Sequence, residues 1–190
     1  MANNPTPMSS KERLELALWS IERLDNLRAS ASNRAAMVIS ADAILLAGTT
    51  FLIDKGISAY KFVDTQAIIY IICALLALIL VLLSVIYASN TIVFVWRSTK
   101  NAVGVKDLPK SLFFHPSDTV ATFKDFGKFE KTFKSSTTDD MLKSALGELM
   151  QITLAHHKRY KSLRTSIRLL LVAVIPFMVC LLLLIIDFFR

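Results

Sequence analysis

The sequence predicts an all-α membrane protein with three transmembrane helices and a helical cytosolic region between the second and third spans. Two observations carry that expectation. Hydrophobic residues make up 54% of a 190-residue chain, and they gather in three blocks instead of alternating with polar positions. The Lys and Arg residues behind the net charge of +7 lie almost entirely on one side of those blocks. A run of about 18 or more apolar residues can cross a bilayer core as a helix. In lipid each backbone amide must be satisfied internally, so each block should be helical.

The elements follow in chain order. Residues 1–34 read as a cytosolic N-terminal helix. Ser9 or Ser10 can cap it, with Glu12 in the first turn. Leu14, Leu18, Ile21 and Leu24 recur at helical spacing, and interleaved charges mark the solvated side. Residues 35–53 form the first span. The long charged stretch before it argues against a cleaved signal peptide. This span has a seam of small residues, Ala36, Ser40, Ala43 and Ala47, and it contains Asp42. Acids within a membrane usually face a bundle interior or a wet cavity. Asp42 can therefore be a structural partner to a neighbouring hydroxyl or, in an oligomer, part of a cation-favouring ring.

Residues 54–66 form a short external loop, and 67–96 the second span, longer than the bilayer core requires. Cys73, Ala77, Ser84, Ala88 and Thr91 share one face of it. Small residues suit close helix packing, and they could equally line a narrow pore. Asp42, Ser84, Ala88 and Thr91 are thus the pore or helix-packing candidates.

The cytosolic region runs from 97 to 168. Pro109 and Pro116 mark a turn-rich approach, and Ser117 or Asp118 can cap a helix. Phe123, Phe126, Phe129 and Phe133 then form one aromatic face, either a small core or a stacking platform for a base. Thr138 or Asp139 caps a last helix that meets no turn signal before the third span, 169–189, which holds Pro176. Its expected packing face is Leu142, Ala145, Leu149, Ile152, His156, Leu163 and Ile167. His157, Lys161, Arg164 and Arg168 recur at helical spacing as a basic stripe near the membrane. Such a stripe attracts anionic lipid or holds phosphates.

Charge sets the orientation. Arg13, Arg23, Arg28 and Arg34 precede the first span, and most of the remaining Lys and Arg lie between the second and third. Only Lys55 and Lys61 sit in the external loop, and only Arg190 follows the third span. The positive-inside bias puts the N-terminus in the cytosol and the C-terminus outside.

Catalytic patterns are missing. There is no nucleophile elbow, no paired metal-ligand spacing and, with five glycines, no Gly-rich phosphate loop. The adjacent His156 and His157 point about 100° apart on a helix, which suits no metal. Cys73 and Cys180 both fall inside spans and read as packing residues. No enzyme, metal or cofactor is expected.

With these residues laid out, the chain resembles the small transmembrane effectors of Pycsar-type bacterial antiphage systems. The resemblance rests on "SNRAAMVISADAILL" at the start of the first span, with Arg34 as its basic residue. It rests also on the "SLFFHPSDTVATFKDF" segment, and on "LMQITLAHHKRYKSLRTSIRLLL" with Gln151, Lys158 and Arg164. Two positions depart from the family pattern: Ser32 or Asn33 stands where an acid is usual, and "FFH" where "FFG" is frequent. The resemblance implies a ligand-sensing region at 97–168. Its ligand-binding residues would be Arg34, His115, Gln151, His157, Lys158, Lys161 and Arg164. The activating ligand would be a nucleotide second messenger from a neighbouring cyclase or nucleotidyltransferase, with possible direct contact with that synthase. The expected effector is a homo-oligomer in the bacterial inner membrane that permeabilises or depolarises it and causes abortive infection. The alternative is a membrane adaptor or assembly protein that docks a cytosolic partner without conducting ions.

Overall fold

The computed structural model describes residues 8–59, 65–93, 113–114 and 116–189. Among the described residues five helices follow one another: α1 (Ser10–Ala59), α2 (Thr65–Val93), α3 (Pro116–Thr122), α4 (Phe126–Ser135) and α5 (Thr138–Phe188). The described residues contain no strand. Helices α1, α2 and α5 are each long and apolar enough to cross a membrane.

Helix α1 joins the N-terminal amphipathic stretch and the first apolar block without a break. Its 50 residues, and the 51 of α5, each measure roughly 75 Å at helical rise, more than twice a bilayer core. Both long helices open with a reciprocal cap. Ser9 N–H and Oγ–H donate to Glu12 Oε2 at 2.8 and 2.9 Å, and Glu12 N–H donates back to Ser9 Oγ at 3.3 Å. Thr137 and Asp140 repeat the arrangement at α5. The cap of α5 is therefore Thr137, not Thr138 or Asp139, because only a residue three before the acid can exchange both bonds with it. The Ser9 backbone N–H, then its hydroxyl, holds the Glu12 carboxyl below its ordinary range. The Thr137 hydroxyl, then its N–H, does the same for Asp140.

The chain divides into two compact units, residues 1–29 with 95–157 and residues 30–94 with 158–190. The second unit holds most of the span residues. Its buried positions on α2 are Ala67, Tyr70, Ala74, Ala77, Val81, Ser84, Ala88 and Thr91, spaced alternately by three and four. This is a heptad seam, narrow and made mostly of small residues, which lets backbones approach closely. On α1 the buried residues are Ala31, Ala35, Val38, Asp42, Thr49 and Leu52. The expected α1 seam is thereby corrected: Ala36, Ser40, Ala43 and Ala47 are exposed. Both sets have heptad spacing, and the interior is the one containing the acid.

Two apolar layers fill this unit. Ala31, Ala35, Val38, Ala88 and Leu163 form one, and Leu52, Tyr70, Ala74 and Cys180 the other. In the second layer the Tyr70 ring lies over Gly56, its hydroxyl donates to the Leu52 carbonyl, and Cys180 Sγ donates to the Tyr70 carbonyl at 3.5 Å. Phe177 packs against Gly48, where an added Cβ would meet its ring at 3.0 Å. Pro176 is buried and α5 continues through it. The large apolar side chains outside the seams, among them Ile44, Phe51, Ile72, Ile79, Leu171 and Ile175, are exposed, as lipid-facing positions should be.

In the first unit the aromatic stretch does not form one helix. Helix α3 ends at Thr122, and α4 starts at Phe126 behind Asp125, whose backbone is extended. Phe123 sits in the break. Along a straight helix, six residues rise about 9 Å. The break instead brings the Phe123 ring to 5.5 Å from Phe129, edge on. Phe113 completes the cluster, stacked on Phe123 at 6.4 Å and edge-on to Phe133 at 5.5 Å. Its backbone N–H donates to Ser144 Oγ on α5 at 3.4 Å. This is a small apolar core, while Phe126, 74% exposed, stays at its edge.

The packing face of α5 also differs from expectation. Its buried residues are Ser144, Ala145, Gly147, Glu148, Gln151, Ala155, Arg159, Leu163, Ser166, Ala173, Pro176 and Cys180. Ala145 and Leu163 were expected there. Leu142, Leu149, Ile152 and His156 are only half-buried, and Ile167 is exposed. An apolar count places polar residues outside, and here the N-terminal half of α5 turns them inward.

Candidate functional site

Two groups of buried polar residues stand out, one in each unit. In the membrane-embedded unit a hydrogen-bonded node joins all three spans. Ser84 Oγ on α2 lies 2.9 Å from Asp42 Oδ2 on α1, to which it donates, and 3.1 Å from the Ser166 carbonyl on α5. The two serine hydroxyls are 3.1 Å apart, and Ser166 Oγ donates to the Ser84 carbonyl at 2.9 Å. All three residues are fully buried, and Asp42 Oδ1 has no hydrogen-bond partner. The buried threonine hydroxyls of α1 and α2 stay on their own helices: Thr49 donates to the Leu45 carbonyl at 2.8 Å and Thr91 to the Tyr87 carbonyl at 3.2 Å. Ala88, in the first apolar layer, is buried beside Thr91 in the α2 seam. The four pore or helix-packing candidates, Asp42, Ser84, Ala88 and Thr91, therefore all lie inside the bundle of this single chain.

The N-terminal half of α5 carries the second group. Ser144, Glu148 and Gln151 are buried, spaced by four and three on one face. The Gln151 side chain is 5% exposed, yet its Oε1 accepts no hydrogen bond, and the neighbouring His156 Nδ1 engages none. A buried acceptor left unmatched costs about 1–3 kcal/mol, so Gln151 is the kind of group a ligand would satisfy.

The remaining ligand-binding candidates are solvent-facing. Arg34, His157, Lys161 and Arg164 are exposed, and Lys158 is half-buried. Arg34, Lys158, Lys161 and Arg164 form no ion pair or hydrogen bond among the described residues, so their donors are available to an anion. His115 lies outside the described residues. Within the basic stripe, His157, Lys161, Arg164 and Arg168 all face outward on α5. Among the described residues no cluster of His, Cys, Asp or Glu could hold a metal.

Sequence reasoning missed Ser144, Glu148 and Arg159 as interior groups. Their signal was present: polar residues at 144, 148, 151 and 159 share the spacing of the buried Ala155 and Leu163. Phe113 was missed as the hub of the aromatic core because it lies ten to twenty residues before the rings it touches, Phe123, Phe129 and Phe133.

A family model described as the Pycsar effector protein domain matches residues 16–186, nearly the whole chain. No curated protein and no solved structure matches it.

Proposed function

The chain belongs to the Pycsar effector protein domain family and is a membrane-seated antiphage effector; from that premise we propose that it senses a nucleotide second messenger in the cytosol and permeabilises the inner membrane. The observation that carries this reading is the course of α5. One unbroken helix bears the unpartnered basic groups Lys158, Lys161 and Arg164, and it goes on to become the third span. A nucleotide phosphate offers the acceptors those donors suit. Strain imposed by its binding has a direct covalent path into the bilayer.

In this reading the N-terminus is cytosolic, as the basic residues dictate. A neighbouring synthase makes the messenger when phage infects. The effector then rearranges its helices as a homo-oligomer, because three spans are too few to enclose a conducting path alone, and the cell dies before phage mature. The protein works by binding and movement, without catalysis.

The test is membrane potential in cells carrying the protein and its neighbouring synthase, before and after infection. Wild type should depolarise. Arg164→Glu, an exposed substitution that leaves the buried seams intact, should hold its potential while still inserting in the membrane. A steady potential in wild type would sink the reading. It would favour a second one, a membrane adaptor docking a cytosolic partner through the exposed Phe126 and Phe133 edge.

A further inference from the structure

We infer that the Asp42–Ser84–Ser166 node is a releasable latch, the level at which the three spans part and first take up water. The inference rests on the permeabilising role proposed above. Three features support it. First, the node is incompletely satisfied when closed. Ser84 has one hydroxyl proton for three acceptors within reach, Asp42 Oδ2 at 2.9 Å, the Ser166 carbonyl at 3.1 Å and Ser166 Oγ at 3.1 Å. Asp42 Oδ1 has no donor at all. Water entering here completes bonds that the protein cannot.

Second, the layers that flank the node gain nothing from water. Ala35, Val38, Ala88 and Leu163 on one side, and Leu52, Ala74 and Cys180 on the other, bring apolar or weakly polar surface. Wetting them costs free energy in proportion to area. Third, other inter-helix polar contacts are already complete, with Ser162 Oγ donating to the Tyr87 carbonyl at 2.8 Å and the Tyr70 hydroxyl to that of Leu52. The node is thus both the tie across all three helices and their most water-receptive level. Removing its donor should loosen the closed bundle, and replacing its acid with an apolar side chain should seal it.

The experiment uses purified full-length protein in vesicles of phosphatidylethanolamine and phosphatidylglycerol, with no nucleotide present. Leakage of trapped potassium is compared for wild type, Ser84→Ala and Asp42→Leu. Ser84→Ala strips Asp42 of its donor, and should leak about tenfold faster than wild type. Asp42→Leu should leak no faster than wild type. Equal leakage of Ser84→Ala and wild type overturns the latch. So does fast leakage of Asp42→Leu, which would mean that any disturbance of packing opens the bundle. If Ser84→Ala fails to insert, Ser166→Ala takes its place under the same criterion, since it removes the hydroxyl bond to the Ser84 carbonyl and so unties α5 from α2. Because no messenger is added, a failure here leaves nucleotide sensing untouched. A wild-type protein that ignores infection fails on sensing even if the latch holds.

Discussion

The two compact units bury polar groups in opposite ways. In the membrane-embedded unit, polar side chains from three different helices meet each other, and small residues at heptad spacing let them come close. In the other unit, Ser144, Glu148 and Gln151 lie along a single helix, and Gln151 Oε1 finds no partner. The first interior ties three helices together with its own bonds, although Asp42 Oδ1 stays unmatched. The second keeps a cost in reserve that an incoming ligand could remove. A mutation of the same chemical kind should therefore have opposite consequences in the two units.

Glycine substitution offers the largest contrast. In Gly56→Ala the new Cβ would fall on the buried Tyr70 ring, which its bond to the Leu52 carbonyl holds in place. The expected cost is about 1–3 kcal/mol, read by denaturant titration of the detergent-solubilised protein. Gly127→Ala in the other unit meets only the exposed Asp125 carboxylate at 3.3 Å, which can swing aside. It should stabilise α4 by up to about 1 kcal/mol, seen as slower hydrogen exchange of that helix's amides. Destabilisation by both would erase the contrast.

Gln151→Leu sharpens it further. Removing an unmatched buried acceptor should raise the stability of the resting protein by about 1 kcal/mol and abolish depolarisation on infection. A less stable protein that still responds would show that Gln151 has neither the cost nor the role assigned to it.

The smallest effect concerns the helix caps. Glu12 and Asp140 are held below their ordinary pKa range by the residues they cap. A group whose folded pKa is depressed stabilises the fold above its unfolded pKa, about 4. That contribution fades as pH falls through the lower folded value. Thermal unfolding followed from pH 7 to pH 3 should show the loss, and Glu12→Gln with Asp140→Asn should flatten it. An unchanged slope in the double variant would dismiss the caps as a source of acid sensitivity.

The membrane architecture was legible because three apolar blocks leave few alternatives, and the α2 seam because Ala77, Ser84 and Ala88 stand out among large apolar residues. The α1 interior was not, although the clue was at hand. Ala36, Ser40, Ala43 and Ala47 have the same period as the true seam, and period alone does not choose between faces. Asp42 does, since a carboxyl seeks the interior. The break before α4 and the place of Phe113 depend on contacts distant in sequence, which no local pattern encodes. Of the ligand-binding candidates, the basic residues are accessible as a charge pattern implies. The burial of Gln151 is a tertiary fact, invisible to propensity.

The buried face of α5 has one further consequence. From Gln151 its buried positions step by four to Ala155, Arg159 and Leu163, before the alternation of three and four resumes. In a straight helix of 3.6 residues per turn, three such steps carry the face about 120° around the axis. The face that this one helix buries is thus a spiral and not a straight stripe, much as two cams can be cut at different angles on a common shaft. Inserting one residue after Ala155 would turn the later cam by about 100°, and inserting four would turn it by only about 40°. Timing between sensing and opening would then be encoded in helical phase, with residue number as its unit.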